Sequence, residues 1–104
     1  MSVNLNQLRQ AINDGRVEWR KHTLQRLAER HILQKDVLQV LLLGEMIREY
    51  TNDRPFSSVL MLGWVANRPL HVVASYDEAG DTTYIITVYE PSLEVFEPDF
   101  KTKR

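Results

Sequence analysis

His22, Arg26 and Arg30 follow one another at four-residue intervals in the stretch Trp19-Arg-Lys-His-Thr-Leu-Gln-Arg-Leu-Ala-Glu-Arg-His31. An α-helix turns about 100° per residue, so with His22 at zero Arg26 falls near 40° and Arg30 near 80°, a single stripe. Leu24, Leu27 and Ala28 fall on the far side, where a buried face belongs. Guanidinium forks pair bidentately with phosphate oxygens and imidazole titrates near neutrality, so the row suits a phosphodiester. A solvated helix face that is merely basic would carry the same residues.

A second group lies in the strand-forming half. If Tyr76 opposes Thr82 across the turn at 77–81, His71 faces Thr87; if Ala66 opposes Pro69, Trp64 faces His71 from the other side. One sheet face then carries Trp64, His71, Ser75, Thr83, Thr87 and Tyr89, and the other Leu70, Val72, Ala74, Tyr84, Ile86 and Val88. The apolar list is a core face; the mixed aromatic and polar list suits a binding surface. A slip of one residue would move His71 out of its row. Each residue also has a structural reading: His71 as a hydrogen-bonded core imidazole, Trp64 as core, Thr87 and Tyr89 as good strand formers.

Other chemistries find no support. There is no cysteine, which excludes disulfides, thiolate metal sites and cysteine nucleophiles. No metal ligand set is expected: on the helix His22 and His31 point nearly opposite ways, and no ligand-spaced motif is present. Ser57-Ser58 lacks the glycine-flanked strand–turn–helix setting of a nucleophile elbow. Neither a phosphate-binding nor a dinucleotide-binding motif appears, so no cofactor is expected.

Several elements must position these residues. Asn4 can cap a first helix carrying Leu5, Leu8 and Ile12, which Gly15 ends. Arg16 to Glu18 reads as a connector, Trp19 to Arg30 as the second helix, and Gln34 to Leu43 as a third. Glu45 to Tyr50, Val59 to Ala66, Leu70 to Tyr76 and Thr82 to Tyr89 read as strands, the second apolar on both faces as in a covered central strand. Pro91 to Pro98 is expected to be irregular or one helical turn. The expectation is an α+β domain over residues 4–100, with three N-terminal helices packed on a four-stranded antiparallel sheet and a frayed tail at 101–104.

The 104 residues suffice for one core, and 26% charged residues with 43% hydrophobic ones are ordinary for a folded soluble chain. Net charge is −1, yet residues 1–43 carry +3 and residues 44–104 carry −4, which allows a local basic patch. No apolar run approaches a signal peptide or a membrane span, so a cytoplasmic location without membrane contact is expected.

The segments Trp19-Arg-Lys-His22-Thr-Leu-Gln-Arg26-Leu-Ala-Glu-Arg30, Gly44-Glu-Met-Ile-Arg-Glu-Tyr50, Gly63-Trp-Val-Ala-Asn-Arg68-Pro-Leu-His71-Val-Val and Ile86-Thr87-Val-Tyr89-Glu-Pro91 together resemble a bacterial family of domains of unknown function. That family is similar to the BrnT and RelE/ParE toxins of type II toxin–antitoxin systems. The resemblance implies a RelE-like α+β fold and a metal-independent endoribonuclease acting on messenger RNA. It also implies a cognate antitoxin as partner, of the small zinc-finger kind. It matches the family's helix His and Arg to His22 and Arg26, with Arg30 a turn further, and its strand residues to His71, Thr87 and Tyr89. RelE-like toxins are commonly strongly basic, and this chain departs from them there.

RNA supplies its own nucleophile, the 2′-hydroxyl, so such an enzyme needs only an acid, a base and cationic stabilisation. On this expectation His22 and His71 transfer protons, and Arg26 and Arg30 stabilise charge on the pentavalent phosphate. Thr87, Tyr89 and Trp64 orient it or stack a base. The alternative is a non-catalytic protein- or RNA-interaction domain on the same scaffold.

Overall fold

A computed structural model describes residues 2–104. The elements run α1 (Leu5–Asn13), β1 (Val17–Trp19), α2 (Lys21–Glu29), α3 (Gln34–Leu43), β2 (Glu45–Tyr50), β3 (Ser58–Val65), β4 (Arg68–Asp77) and β5 (Thr82–Tyr89). The class is α+β with three helices, as the patterning indicates. The sheet, however, has five strands in the order β1-β5-β4-β3-β2, and β1 joins β5 in parallel. The expected four-stranded antiparallel sheet is therefore corrected: Val17 to Trp19, assigned to a connector and a helix start, form the extra strand.

Local signals account for both ends of α1, whereas α2 and α3 start without a side-chain cap. Asn4 accepts the Gln7 amide at 3.0 Å and starts α1, which buries Leu8, Ala11 and Ile12 at helical spacing. Gly15 ends it with φ of +81°, a left-handed conformation that costs glycine little. The Arg9 guanidinium bonds the carbonyls of Leu41 and Gly44 at 2.8 and 2.9 Å, capping the C-terminus of α3 from another helix. α3 lies close on β3, and only glycine fits at 63: a Cβ there would sit 2.8 Å from Val40 Cγ2.

One sheet face packs on the helices through Val59, Met61, Leu70, Val72, Ile85 and Val88, meeting Leu8, Val37, Val40 and Leu41. The other face is roofed from two directions. The loop after β2 stacks Phe56 on Tyr84 (centroids 5.8 Å apart), and the stretch after β5 lays Phe96 over His71 (4.8 Å). The tail expected to fray is tied down: the Arg104 amide bonds the Val95 carbonyl at 2.9 Å, and Lys101 pairs with Glu45 at 3.2 Å.

Registers differ from the expected ones, through two bulges and through the positions of two turns. In β5, Thr87 opposes Val73 and Ile85 opposes Ala74, leaving Ile86 as an extra residue. In β2, Arg48 opposes Leu60 and Met46 opposes Met61, leaving Ile47 extra. Such bulges shift which face later side chains occupy. His71 opposes Tyr89 rather than Thr87, one step from the Ile86 bulge and one from Asp77 pairing with Thr82 at the turn, and it opposes Leu62 rather than Trp64 because the β3–β4 turn falls at Ala66-Asn67. Thr83 turns to the helix face, where its hydroxyl bonds the Leu8 carbonyl at 2.9 Å, and Tyr84 turns away from it.

Candidate functional site

Following the registers across the strands gives the polar face its rows. Glu45, Leu62, His71 and Tyr89 form one; Arg48, Leu60, Val73 and Thr87 the next; Tyr50, Ser58, Ser75 and Tyr84 the third. Both bulges matter here. Without the extra Ile47, Arg48 and Tyr50 would fall on the helix side, and without the extra Ile86, Thr87 and Tyr89 would follow them.

His71 is fully buried at the centre of this arrangement. Its Nε2 lies 2.8 Å from the Phe100 carbonyl and its Nδ1 3.1 Å from the Tyr89 hydroxyl. A carbonyl only accepts, so Nε2 carries the proton, and in the neutral ring Nδ1 is left to accept from the phenol. Burial pushes the imidazole below its ordinary pKa of 6.5, and the nearby Arg48 charge acts the same way; the bond to Phe100 opposes both. Burial likewise raises the Tyr89 phenol above its usual 10.0, with Tyr50 adding to the rise and Arg48 opposing it. At neutral pH the pair is thus a protonated phenol donating to a bare imidazole nitrogen.

Arg48, Thr87 and Tyr89 are half-buried and Tyr50 is 37% exposed, so the row above His71 is reachable from solvent. Arg48 donates to the Lys101 carbonyl at 3.2 Å, which leaves further guanidinium N–H groups for an anion. Trp64, half exposed at 50%, shares this face and meets the Phe100 ring edge-on at 5.7 Å, forming a rim.

The α2 residues do not join this group. Contrary to the expectation that their row looks across at the polar face, α2 packs on the opposite side, burying Thr23 and Leu27. His22 is exposed, and Arg26 is exposed and pairs with Glu29 at 3.4 Å. Arg30 is not in their stripe functionally: it donates to the Val88 carbonyl, while Thr23 donates to the Ile86 carbonyl at 2.9 Å. Thr23 and Arg30 are seven residues apart, about 20° on a helical wheel, so one edge of α2 seals the part of β5 that β1 does not reach.

Sequence reasoning brought His71, Thr87, Tyr89 and Trp64 to one face but missed Arg48, Tyr50 and the Phe100 carbonyl. An arginine and a tyrosine two apart in a short strand share a face, which was a usable signal for the first two. Nothing in the sequence marks a main-chain carbonyl 29 residues downstream as the partner of His71.

Two surface clefts have volumes of about 420 and 430 Å³, one between the 51–57 loop and the start of the β4–β5 turn, the other between the end of α3 and Trp64, where it shares Glu45, Leu62 and Trp64 with the polar face. Among the described residues no three or more Asp, Glu or His side chains gather as a metal site would, and no helix is long and apolar enough to cross a membrane.

The fold and site define an α+β domain whose mixed sheet presents a partly roofed polar face. Residues 19–90 match the family described as Domain of unknown function (DUF4258), and the chain belongs to that family. No curated protein and no solved structure matches the chain.

Proposed function

We propose that this chain is a toxin-type, metal-independent endoribonuclease with a RelE-like plan, working from the polar face of its sheet. What supports the reading most is the pair of bulges that turn Arg48 and Tyr50, and Thr87 and Tyr89, onto the face that holds His71. Bulges that re-aim side chains in this way are over-represented beside active sites.

The groups present suit attack by an RNA 2′-hydroxyl on its own phosphodiester. The 2′-oxygen bonds to phosphorus and its proton passes to the Tyr89 oxygen as the phenolic proton moves to His71 Nδ1. Arg48 faces the charge that gathers on the non-bridging oxygens. The bond to the 5′-oxygen breaks, that oxygen takes a proton from solvent while His71 Nδ1 returns its own to solvent through Tyr89, and the ends are a 2′,3′-cyclic phosphate and a 5′-hydroxyl. Tyr50 and Trp64 offer rings for stacking bases, and Thr87 a hydroxyl for the phosphate. Under this reading the exposed His22 and Arg26 bind rather than catalyse, tracking RNA phosphates or meeting a cognate antitoxin of the small zinc-finger kind. The cell compartment would be the cytoplasm, where messenger RNA is found.

The test is incubation of the purified chain with oligoribonucleotides in EDTA. New 2′,3′-cyclic ends with a bell-shaped pH profile support the proposal. Salt-sensitive binding with no cyclic ends defeats it and leaves the second reading, a non-catalytic interaction domain, which the exposure of His22 and Arg26 favours.

A further inference from the structure

The chain after β5 returns over the polar face as a closed strap. Phe96 bridges Lys103, and the Glu97 amide bonds the Thr102 carbonyl at 2.8 Å. At the turn, one carboxylate makes most of the connections: Asp99 accepts the Lys101 amide at 2.9 Å, the Thr102 amide at 3.0 Å and the Thr102 hydroxyl at 2.9 Å. These bonds hold its carboxyl below the ordinary carboxylate range. Between them Phe100 sits at φ of +56°, left-handed backbone that residues other than glycine adopt only when their surroundings hold them there. That conformation presents the Phe100 carbonyl to His71 Nε2 at 2.8 Å.

We infer that Asp99 is a positioning residue for the polar-face site: by holding the strap's turn it keeps the Phe100 carbonyl on Nε2 of His71, and so leaves Nδ1 bare and aimed at Tyr89. Asp99 touches neither His71 nor Tyr89, and acts through the backbone between them. The charged and titratable groups facing His71 are Tyr89 from β5 and Arg48 from β2, with Tyr50 beyond them and the Glu45–Lys101 pair where the strap meets the sheet. The link to RNA cleavage rests on the function proposed above; the effect on the imidazole does not.

The experiment is ¹⁵N NMR of the full chain, with His71 assigned by its loss in His71→Gln. Wild type should show the Nε2–H tautomer and a midpoint below 6.5. Asp99→Ala should give mixed tautomers and a midpoint moved further down, because the Phe100 bond is what opposes the burial of the ring, and Asp99→Asn, which keeps an accepting oxygen, should restore much of the wild-type signature. Cleavage by Asp99→Ala should lose about tenfold in kcat with KM unchanged, a fraction of what removing a catalytic group costs. An unchanged tautomer and midpoint in Asp99→Ala overturns the inference even if wild type cleaves RNA. Altered imidazole signals in a chain that cleaves nothing support the inference while removing the nuclease reading.

Discussion

The hydroxyl of Thr23, on α2, donates to the carbonyl of Ile86 at 2.9 Å, and Ile86 is the one residue that β5 has in excess of β4. Helix and bulge are thus coupled. A bulge breaks the ladder and leaves backbone groups in want of partners, and α2 supplies one just beyond the three-residue reach of β1. α2 thus closes the free edge of β5 at the residue where the bulge sits.

Replacing Thr23 by valine keeps the shape and removes the donor. We expect a loss of about 1 kcal/mol in unfolding free energy, the usual net worth of such a bond. Urea titration should show the midpoint fall with the slope unchanged. A midpoint equal to wild type would mean that water serves the Ile86 carbonyl equally well.

Tyr89→Phe removes the hydroxyl that donates to His71 while keeping the ring packed edge-on against the imidazole at 5.2 Å. Cleavage should drop by about a hundredfold or more if the phenol relays the proton. The fold should survive, which circular dichroism and the melting temperature will show. A variant with near wild-type kcat removes Tyr89 from the chemistry.

Arg48 and the α2 pair should separate cleanly in kinetics. Arg48→Ala is expected to lower kcat by roughly a hundredfold, as losing a preorganised charge at a phosphate does. His22→Ala combined with Arg26→Ala, on the other side of the sheet, should leave kcat within about threefold of wild type and weaken RNA affinity, flattening its salt dependence. If the α2 double variant abolished turnover and Arg48→Ala did not, the site would belong on the helix.

His71 also predicts the acid side of the stability curve. Its folded-state pKa is pushed below 6.5, so as pH falls past 6.5 the unfolded chain takes up a proton that the folded chain still refuses. Stability is therefore full above 6.5 and declines below it, until the buried imidazole itself protonates. His71→Gln offers an amide donor and a carbonyl acceptor but no titration, so this part of the slope should vanish. Chemical denaturation at a series of pH values between 5 and 8, a range about the ordinary His pKa, makes the comparison.

Legibility along the chain followed the range of the interactions. The Asn4 cap, Gly15 at the end of α1 and the apolar run of β3 are short-range features, and each is readable from neighbouring residues; the turn expected at 77–81 begins one residue later, because Asp77 still pairs with Thr82. The expected helix from Trp19 failed at its start because Trp19 pairs with Ile85, a partner 66 residues away that no local pattern announces. Arg30 looked like part of a row with His22, yet only the position of β5 reveals that it shares an edge with Thr23 instead.

By itself, the amino-acid sequence determined an α+β chain with three helices ahead of its antiparallel strands, and identified His71, Thr87 and Tyr89 as residues that could share a face. Periodicity and turn chemistry act over a few residues, and they suffice for that much. Tertiary structure alone decided that Arg48 and Tyr50 join them, that His22 and Arg26 do not, and that the tail closes over His71. The physical reason is that a bulge adds a single residue and inverts a face. Whether one forms depends on what packs against both sides of the sheet at once.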